Sequence, residues 1–202
     1  MLCESQPVSA PPELPPLVSA ALSLSGRRGF VSSTRNETGR LLASLAASKS
    51  GIVGELGTGC GVGSAWLRSG ATEQTKIVTA ESDPQLAQAV AELFADDERI
   101  EVVSADWTAL IERGPFSLLF VDAREAKISA RDIIADVVEP GGFVVLDDFT
   151  PLESLERHGE LAQSRLRGDV GAGASAVCLQ HPSRDGRVEV GVAAGHDAGR
   201  SQ

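Results

Sequence analysis

Five short apolar runs recur along the chain and alternate with segments of helical periodicity. They read GIVGEL, KIVTAE, IEVVSAD, SLLFVDA and FVVLDD, and they lie between residues 51 and 148. Apolar runs of this length are typical of strands buried on both faces of a parallel sheet. Strands that alternate with helices form such a sheet with helices on both of its faces. The sequence therefore predicts an α/β fold of the Rossmann-like kind.

The bulk composition predicts one globular domain. The chain has 202 residues, of which 42% are hydrophobic, and a formal net charge of −10. Because affinity for nucleic acid comes largely from Lys and Arg, this charge argues against a nucleic-acid partner. A cluster of arginines between residues 27 and 40 is interpreted as a solvated surface.

The cysteines and the N-terminal residues predict a cytoplasmic protein. Cys3, Cys60 and Cys178 are far apart and form no CxxC pair, so neither a disulfide framework nor a zinc site is indicated. Residues 1–25 contain five prolines and lack the basic start and continuous apolar core of a signal peptide. No apolar run reaches the length of a membrane span.

The chain is predicted to divide into three parts. Residues 1–32 form a Pro-rich arm with a short helix, residues 33–197 the folded domain and residues 198–202 a frayed tail. The stretch STRNETGRLLASLAASKSG predicts a helix, since Thr34 and Glu37 have the spacing of a capping box and Gly51 supplies a stop. Near the C-terminus, ASAVCLQ and VEVGVAA flank a turn-rich spacer and predict a β-hairpin.

The loop GELGTGCGVGSAW, residues 54–66, follows the first predicted strand and holds five glycines. A phosphate-binding P-loop requires a Lys before Ser or Thr, and this loop contains no Lys. A dinucleotide loop of the form GxGxxG that begins at Gly57 would have Val62 in place of its third glycine. Glu55 would repel a pyrophosphate, so it favours a ligand with a cationic group. A plain strand-to-helix turn is the alternative.

The pattern ExGxGxG, from Glu55 to Gly61, resembles the first motif of the class I S-adenosylmethionine-dependent methyltransferases. Their methyl donor carries an ammonium and a sulfonium and no phosphate, which suits an acid beside a glycine turn. The resemblance implies S-adenosylmethionine as the cofactor and a donor site made from this loop and two further strand ends. Its predicted residues are Glu55, Gly57, Thr58, Gly59, Gly61, Ser64, Glu81, Asp106 and Trp107.

Three of these residues, at the ends of the second and third strands, have specific predicted contacts. Glu81 can accept both ribose hydroxyls, Asp106 can accept from the adenine amino group, and Trp107 can lie against the adenine ring. A solvated acid at a strand end and ordinary core packing of the tryptophan are the alternatives. Open α/β sheets bind ligands at the carboxyl ends of their strands, which favours the donor site.

Carboxylates also follow the fourth and fifth predicted strands. Asp122 ends the fourth, and Asp147 and Asp148 end the fifth. Neighbouring acids repel unless a cation compensates, and oxygen ligands suit Mg²⁺ or a similar divalent cation. The arrangement resembles the metal-dependent O-methyltransferases of the catechol and caffeoyl-CoA type, although Asp148 replaces that family's amide. Capping of the next helix by Asp147 and Asp148 is the alternative.

This resemblance implies O-methylation of a small acceptor, of which a phenol is one candidate. Asp122 and Lys127 are the predicted catalytic residues, although Glu125 occupies the position of the family's lysine. Without a metal, Lys127 is the candidate base, and His158 is the alternative. The resemblance also implies a seven-stranded, mostly parallel sheet of order 3-2-1-4-5-7-6 with a reversed C-terminal hairpin, and a homodimer. An NAD-dependent oxidoreductase and a catalytically silent nucleoside-binding module are the alternatives.

Overall fold

The computed structural model describes residues 13–129, 136–149, 175–180 and 189–194. The described helices are α1 (Pro16–Arg28), α2 (Asn36–Ala46), α3 (Val62–Gly70), α4 (Pro84–Leu93) and α5 (Arg124–Ser129), with a 3₁₀ helix at Trp107–Arg113. The strands are β1 (Gly51–Leu56), β2 (Thr75–Glu81), β3 (Ile100–Ser104), β4 (Phe116–Val121), β5 (Val138–Phe149), β6 (Ser175–Gln180) and β7 (Glu189–Ala194). The five predicted apolar runs fall on β1 to β5.

A parallel sheet with the strand order β3-β2-β1-β4-β5 forms the centre of the fold. All residues of β4 are buried. Leu118 and Phe120 belong to the apolar core on one face of the sheet, whereas Leu119 and Val121 belong to the core on the other face, as the two-residue period of a strand requires. The predicted α/β, Rossmann-like fold is confirmed, and its parallel strands bring their carboxyl ends to one edge.

The last two strands lie beyond β5. β6 pairs in parallel with β5, and β7 pairs antiparallel with β6, so the order at this end is β5-β6-β7. This differs from the predicted order 3-2-1-4-5-7-6, in which the last strand lies next to the fifth. A hairpin sequence specifies how its two strands pair with each other, but it does not specify which of them joins the sheet.

Helix α1 packs against the domain rather than standing apart from it. Val18, Ala21 and Leu24 on this helix share one buried core with Leu42 of α2 and Leu67 of α3. Since these side chains lie within the same apolar cluster as the sheet, the helix of the predicted N-terminal arm is an integral part of the core.

Helix α2 begins later than the capping-box pattern predicts. Arg35 occupies its N-cap position and makes no side-chain capping bond, and the helix ends at Ala46, before Gly51. The expected cap, Thr34, is instead buried, with its hydroxyl close to the space beside Gly63. Packing against α3 therefore overrides the local capping signal.

Other predicted features lie outside the described residues. They include the first 12 residues of the predicted arm, the turn-rich spacer between β6 and β7, the C-terminal tail and the side chain of Asp148. Among the residues that are described, no helix has the length and apolar character needed to cross a membrane.

Candidate active site

A cavity of about 670 Å³ opens at the carboxyl edge of the sheet. Its walls come from the loops after β1, β2, β3 and β4 and from the connection between α1 and α2. The predicted site residues that line it are Gly57, Thr58, Gly59, Glu81, Asp106, Trp107, Asp122 and Lys127. Residues from four distant parts of the sequence therefore meet at one place, as predicted from their positions at strand ends.

The glycine loop between β1 and α3 adopts a conformation that only glycine takes readily. Gly57, Gly59 and Gly61 have φ angles of 98°, 53° and 81°. A Cβ atom on Gly57 would lie 2.7 Å from the backbone nitrogen of Ala123, which is closer than real contacts allow. The loop thus keeps bare backbone beside the cavity, where a ligand can approach it closely.

Backbone amides hold the carboxylate of Glu81 in place at the end of β2. Its two oxygens accept one hydrogen bond each, from the amides of Gly59 and Asp83, both at 2.9 Å. A carboxylate offers about four acceptor positions, so each oxygen retains one for a ligand. Two such acceptors on one fixed carboxylate match the two adjacent hydroxyls of a ribose.

Asp106 and Trp107 lie together after β3. The Asp106 carboxylate accepts hydrogen bonds from the hydroxyl of Thr108 at 2.7 Å and from its amide at 3.0 Å, and these bonds lower the pKa of Asp106. The aspartate is therefore a fixed, ionised acceptor at the cavity. Trp107 is half-buried, so one side packs on the core while the side chain still lines the cavity.

Asp122 and Lys127 form an ion pair within the cavity wall. The ammonium nitrogen of Lys127 lies 3.3 Å from Oδ1 of Asp122, and Lys127 is only 7% exposed. Asp122 follows β4, and Lys127 lies on α5, about one helical turn further along. Glu125, at the position where the resembled family has its lysine, also lines the cavity.

The described part of the chain does not assemble the predicted metal site. No group of three or more His, Cys, Asp or Glu side chains among these residues is placed to hold a metal ion. Asp147 is 3% exposed near the end of β5 and does not line the cavity. Asp148 follows it, and its side chain is outside the described part.

Glu55 lies behind the glycine loop and does not line the cavity. The side chain is 1% exposed, and its Oε2 accepts hydrogen bonds from Ser64 and from Thr79. Burial raises the pKa of Glu55 to about 8. Gly61 and Ser64 are also absent from the cavity wall. This placement corrects the expectation that Glu55 faces the cationic groups of the ligand.

Several wall residues were not predicted from the sequence. Phe30, Ser32, Ser33 and Thr34 come from the connection between α1 and α2, Leu86 comes from α4, and the rest are neighbours of predicted positions. The ring of Phe30 lies against the glycine loop, 3.1 Å from where a Cβ on Gly59 would be. The position of the connection depends on how α1 docks, and no local motif signals it.

The sequence and the fold of the chain are similar to those of known methyltransferases. Residues 55–149 match the family model described as a methyltransferase domain. None of the curated proteins matches the chain. The cofactor-bound protein Rv0187 from MTB is 23% identical, with a TM-score of 0.64 over 75% of this chain and 74% of its own.

Two solved O-methyltransferases share the fold over most of their length. TomG from Streptomyces achromogenes, involved in tomaymycin synthesis and solved with SAM, is 16% identical, with a TM-score of 0.68 over 91% of this chain and 92% of its own. The O-methyltransferase from Bacillus cereus, solved with SAH, is 14% identical, with a TM-score of 0.65 over 90% and 92%.

The family match begins at Glu55 and ends at Phe149, so it contains the glycine loop and the ends of β1 to β5. Over these residues the chain matches a methyltransferase domain. The match agrees with the class predicted from the glycine loop and the strand-end acids, the class I S-adenosylmethionine-dependent methyltransferases.

Proposed function

We propose that the protein binds S-adenosylmethionine in this cavity and transfers the methyl group to an oxygen atom of a small acceptor. The main support for the donor site is the carboxylate of Glu81. Two backbone amides hold it in place, and its two oxygens each keep one acceptor position for a ribose hydroxyl. Support also comes from the O-methyltransferases of the same fold that were solved with SAM and SAH.

The charge of the cavity wall agrees with this donor. Its described carboxylates are Glu81, Asp83, Asp106, Asp122 and Glu125, and its described cations are Arg124 and Lys127. An excess of carboxylates favours a ligand with a sulfonium and an ammonium, and it disfavours the pyrophosphate of NAD. In the proposed pose the ribose meets Glu81, the adenine amino group meets Asp106, and the ring lies against Trp107.

Methyl transfer is an in-line displacement at the methyl carbon. The acceptor oxygen, whose proton has passed to solvent, forms the new C–O bond while the C–S bond breaks. The electron pair of the C–S bond goes to sulfur and leaves neutral S-adenosylhomocysteine. A phenol has a pKa of about 10, so the site must favour its anion. Lys127 supplies a positive charge beside the acceptor oxygen, and Asp122 holds that ammonium 3.3 Å away.

The divalent cation remains a separate prediction. Asp122, Asp147 and Asp148 would be its ligands, but the described side chains do not by themselves fit a metal ion. The proposed mechanism therefore assigns the stabilisation of the acceptor anion to Lys127. Turnover measured with Mg²⁺ and with a chelator distinguishes the two assignments, because only a metal-dependent site loses activity on chelation.

The acceptor is a small molecule rather than a nucleic acid, since the chain has a net charge of −10. We also propose that the sheet ends in a reversed C-terminal hairpin made of β6 and β7. We also propose a homodimer that involves the N-terminal helices and a cytoplasmic location.

Calorimetry with S-adenosylhomocysteine tests the donor site, and NAD is titrated in parallel. Binding of S-adenosylhomocysteine without binding of NAD is the expected result, whereas the reverse preference would overturn the proposal. Phenolic acceptors are then screened with S-adenosylmethionine, and the formation of S-adenosylhomocysteine is followed. A protein that binds the donor but turns over no acceptor of any class would be a silent binding module instead.

A further inference from the structure

We infer that Glu55 is a positioning residue that fixes the glycine loop through Thr79 and Thr58, and that it does not contact the methyl donor. The inference rests on the proposed donor site, because its effect is read as affinity for the donor. It concerns the first acid of the motif ExGxGxG, which was predicted to face the ligand.

The Glu55 side chain connects three elements from beneath the cavity. It projects from β1, and its Oε2 accepts hydrogen bonds from Ser64 on α3 and from Thr79 on β2, the latter at 2.8 Å. Both hydroxyls and the carboxyl group are buried. The side chain therefore joins the two ends of the loop, and it forms no part of the cavity wall.

A second hydrogen bond continues the connection to the cavity wall. The Thr79 hydroxyl lies 2.6 Å from the Thr58 hydroxyl, and Thr58 lines the cavity. A hydroxyl has one hydrogen, and Thr79 donates it to Glu55. Thr58 must therefore donate to Thr79, so the orientation of the Thr58 hydroxyl depends on Glu55 two bonds away.

The surroundings of Glu55 favour a neutral carboxyl group. Burial raises the pKa of Glu55, the hydrogen bonds from Ser64 and Thr79 lower it, and the carboxylates of Asp122 and Glu81 raise it, so that the pKa lies above its ordinary value. Its Oε1 is buried and has no hydrogen-bond partner, and a Cβ on Gly63 would overlap it. Glutamine has the same shape and keeps an acceptor oxygen, so it can accept the same two hydrogen bonds from Ser64 and Thr79.

Glutamine and leucine substitutions separate positioning from direct contact. In Glu55→Gln the shape and an acceptor oxygen are kept, so we expect the Kd for S-adenosylhomocysteine at pH 7 to stay within about threefold of the wild-type value. In Glu55→Leu the hydroxyls of Ser64 and Thr79 lose their acceptor, and we expect affinity to fall about tenfold or more. Thr79→Val removes the link to Thr58 and should reproduce much of that loss, even if Glu55→Leu fails to fold.

The outcomes distinguish this inference from the proposed function. If wild-type protein does not bind S-adenosylhomocysteine, the donor site itself is wrong. If wild-type protein binds and Glu55→Gln loses as much affinity as Glu55→Leu, the charge of Glu55 contacts the donor and the inference is overturned. Unchanged affinity in both Glu55→Leu and Thr79→Val would overturn it as well. Circular dichroism of each variant establishes that the folded state is being compared.

Discussion

At the scale of single residues, the site relies on polar groups that the backbone holds in fixed positions. Glu81 is bound by two amides and Asp106 by Thr108, so each carboxylate is oriented before any ligand arrives. Preorganised acceptors bind more tightly because less conformational entropy is lost on binding.

Replacement of Glu81 by glutamine tests this orientation. One of the two carboxylate oxygens becomes an NH₂ group, which cannot accept a hydrogen bond from a ribose hydroxyl. It also faces a backbone amide, and two donors cannot form a hydrogen bond with each other. We expect the Kd for S-adenosylhomocysteine to rise by about ten- to a hundredfold, as for the loss of a charge-assisted hydrogen bond. Isothermal titration calorimetry measures the change. The matched control is Glu92→Gln on the exposed face of α4, which should leave the Kd unchanged.

Replacement of Lys127 by methionine tests the catalytic assignment. The variant keeps a long apolar side chain but removes the charge beside Asp122, so we expect kcat to fall by about a hundredfold while the Kd for the donor changes little. Lys76→Met, which removes a partly exposed ion pair with Glu101 on the sheet, is the control. A large loss of donor affinity with unchanged kcat would place Lys127 at the donor instead.

The residue scale also shows what the sequence could and could not predict. The acids at the ends of β2, β3 and β4 were predicted to meet, because parallel strands end at one edge. The burial of Glu55 was not predicted, since a motif fixes the position of a residue along the strand but not which neighbours cover its side chain. The ion pair of Lys127 with Asp122 depends on α5, whose turn brings position 127 rather than 125 to the aspartate.

At the scale of elements, the connection from β1 to α3 determines the shape of the donor site. The glycines in the sequence predict this turn. Their positive φ angles in the structure explain why glycine is needed there. The sequence predicted less well where α2 starts and which strand joins β5, because both depend on packing between elements that are distant in sequence.

Two glycine-to-alanine substitutions, one in the glycine loop and one in helix α1, compare how far each position requires glycine. Gly57→Ala places a Cβ 2.7 Å from Ala123 N at a φ angle of 98°, so we expect a loss of more than about 1 kcal/mol in the free energy of unfolding, together with weaker donor binding. Gly26→Ala in α1 meets no atom within 4 Å and should stabilise the protein by about 0.5–1 kcal/mol. Urea titrations of both variants measure the difference, and equal effects would contradict it.

At the scale of the whole molecule, one buried carboxyl group connects the site to global stability. In the native state the pKa of Glu55 is raised from its ordinary value of 4.5 to about 8. Between these two values the native state binds more protons than the unfolded chain, so stability falls as the pH rises and levels off above about 8.

The pH dependence of unfolding measures this contribution. Between pH 5 and 8 the free energy of unfolding of the wild type should fall relative to that of Glu55→Gln, by at most about 1.4 kcal/mol per pH unit. Taking the difference between the two proteins cancels the titration of all other groups. A difference that stays constant over this range would show that Glu55 is ionised in the native state.

The placement of the two tryptophans gives the protein a built-in optical signal. The chain has two Trp and no Tyr. Trp66 is 4% exposed in the core beside α2 and does not line the cavity, whereas Trp107 forms part of its wall. An adenine ring stacked on Trp107 would quench its fluorescence and leave that of Trp66 as a constant background. Replacing Trp107 by Phe should abolish the change, so the emission of unlabelled protein can report donor occupancy from one known position.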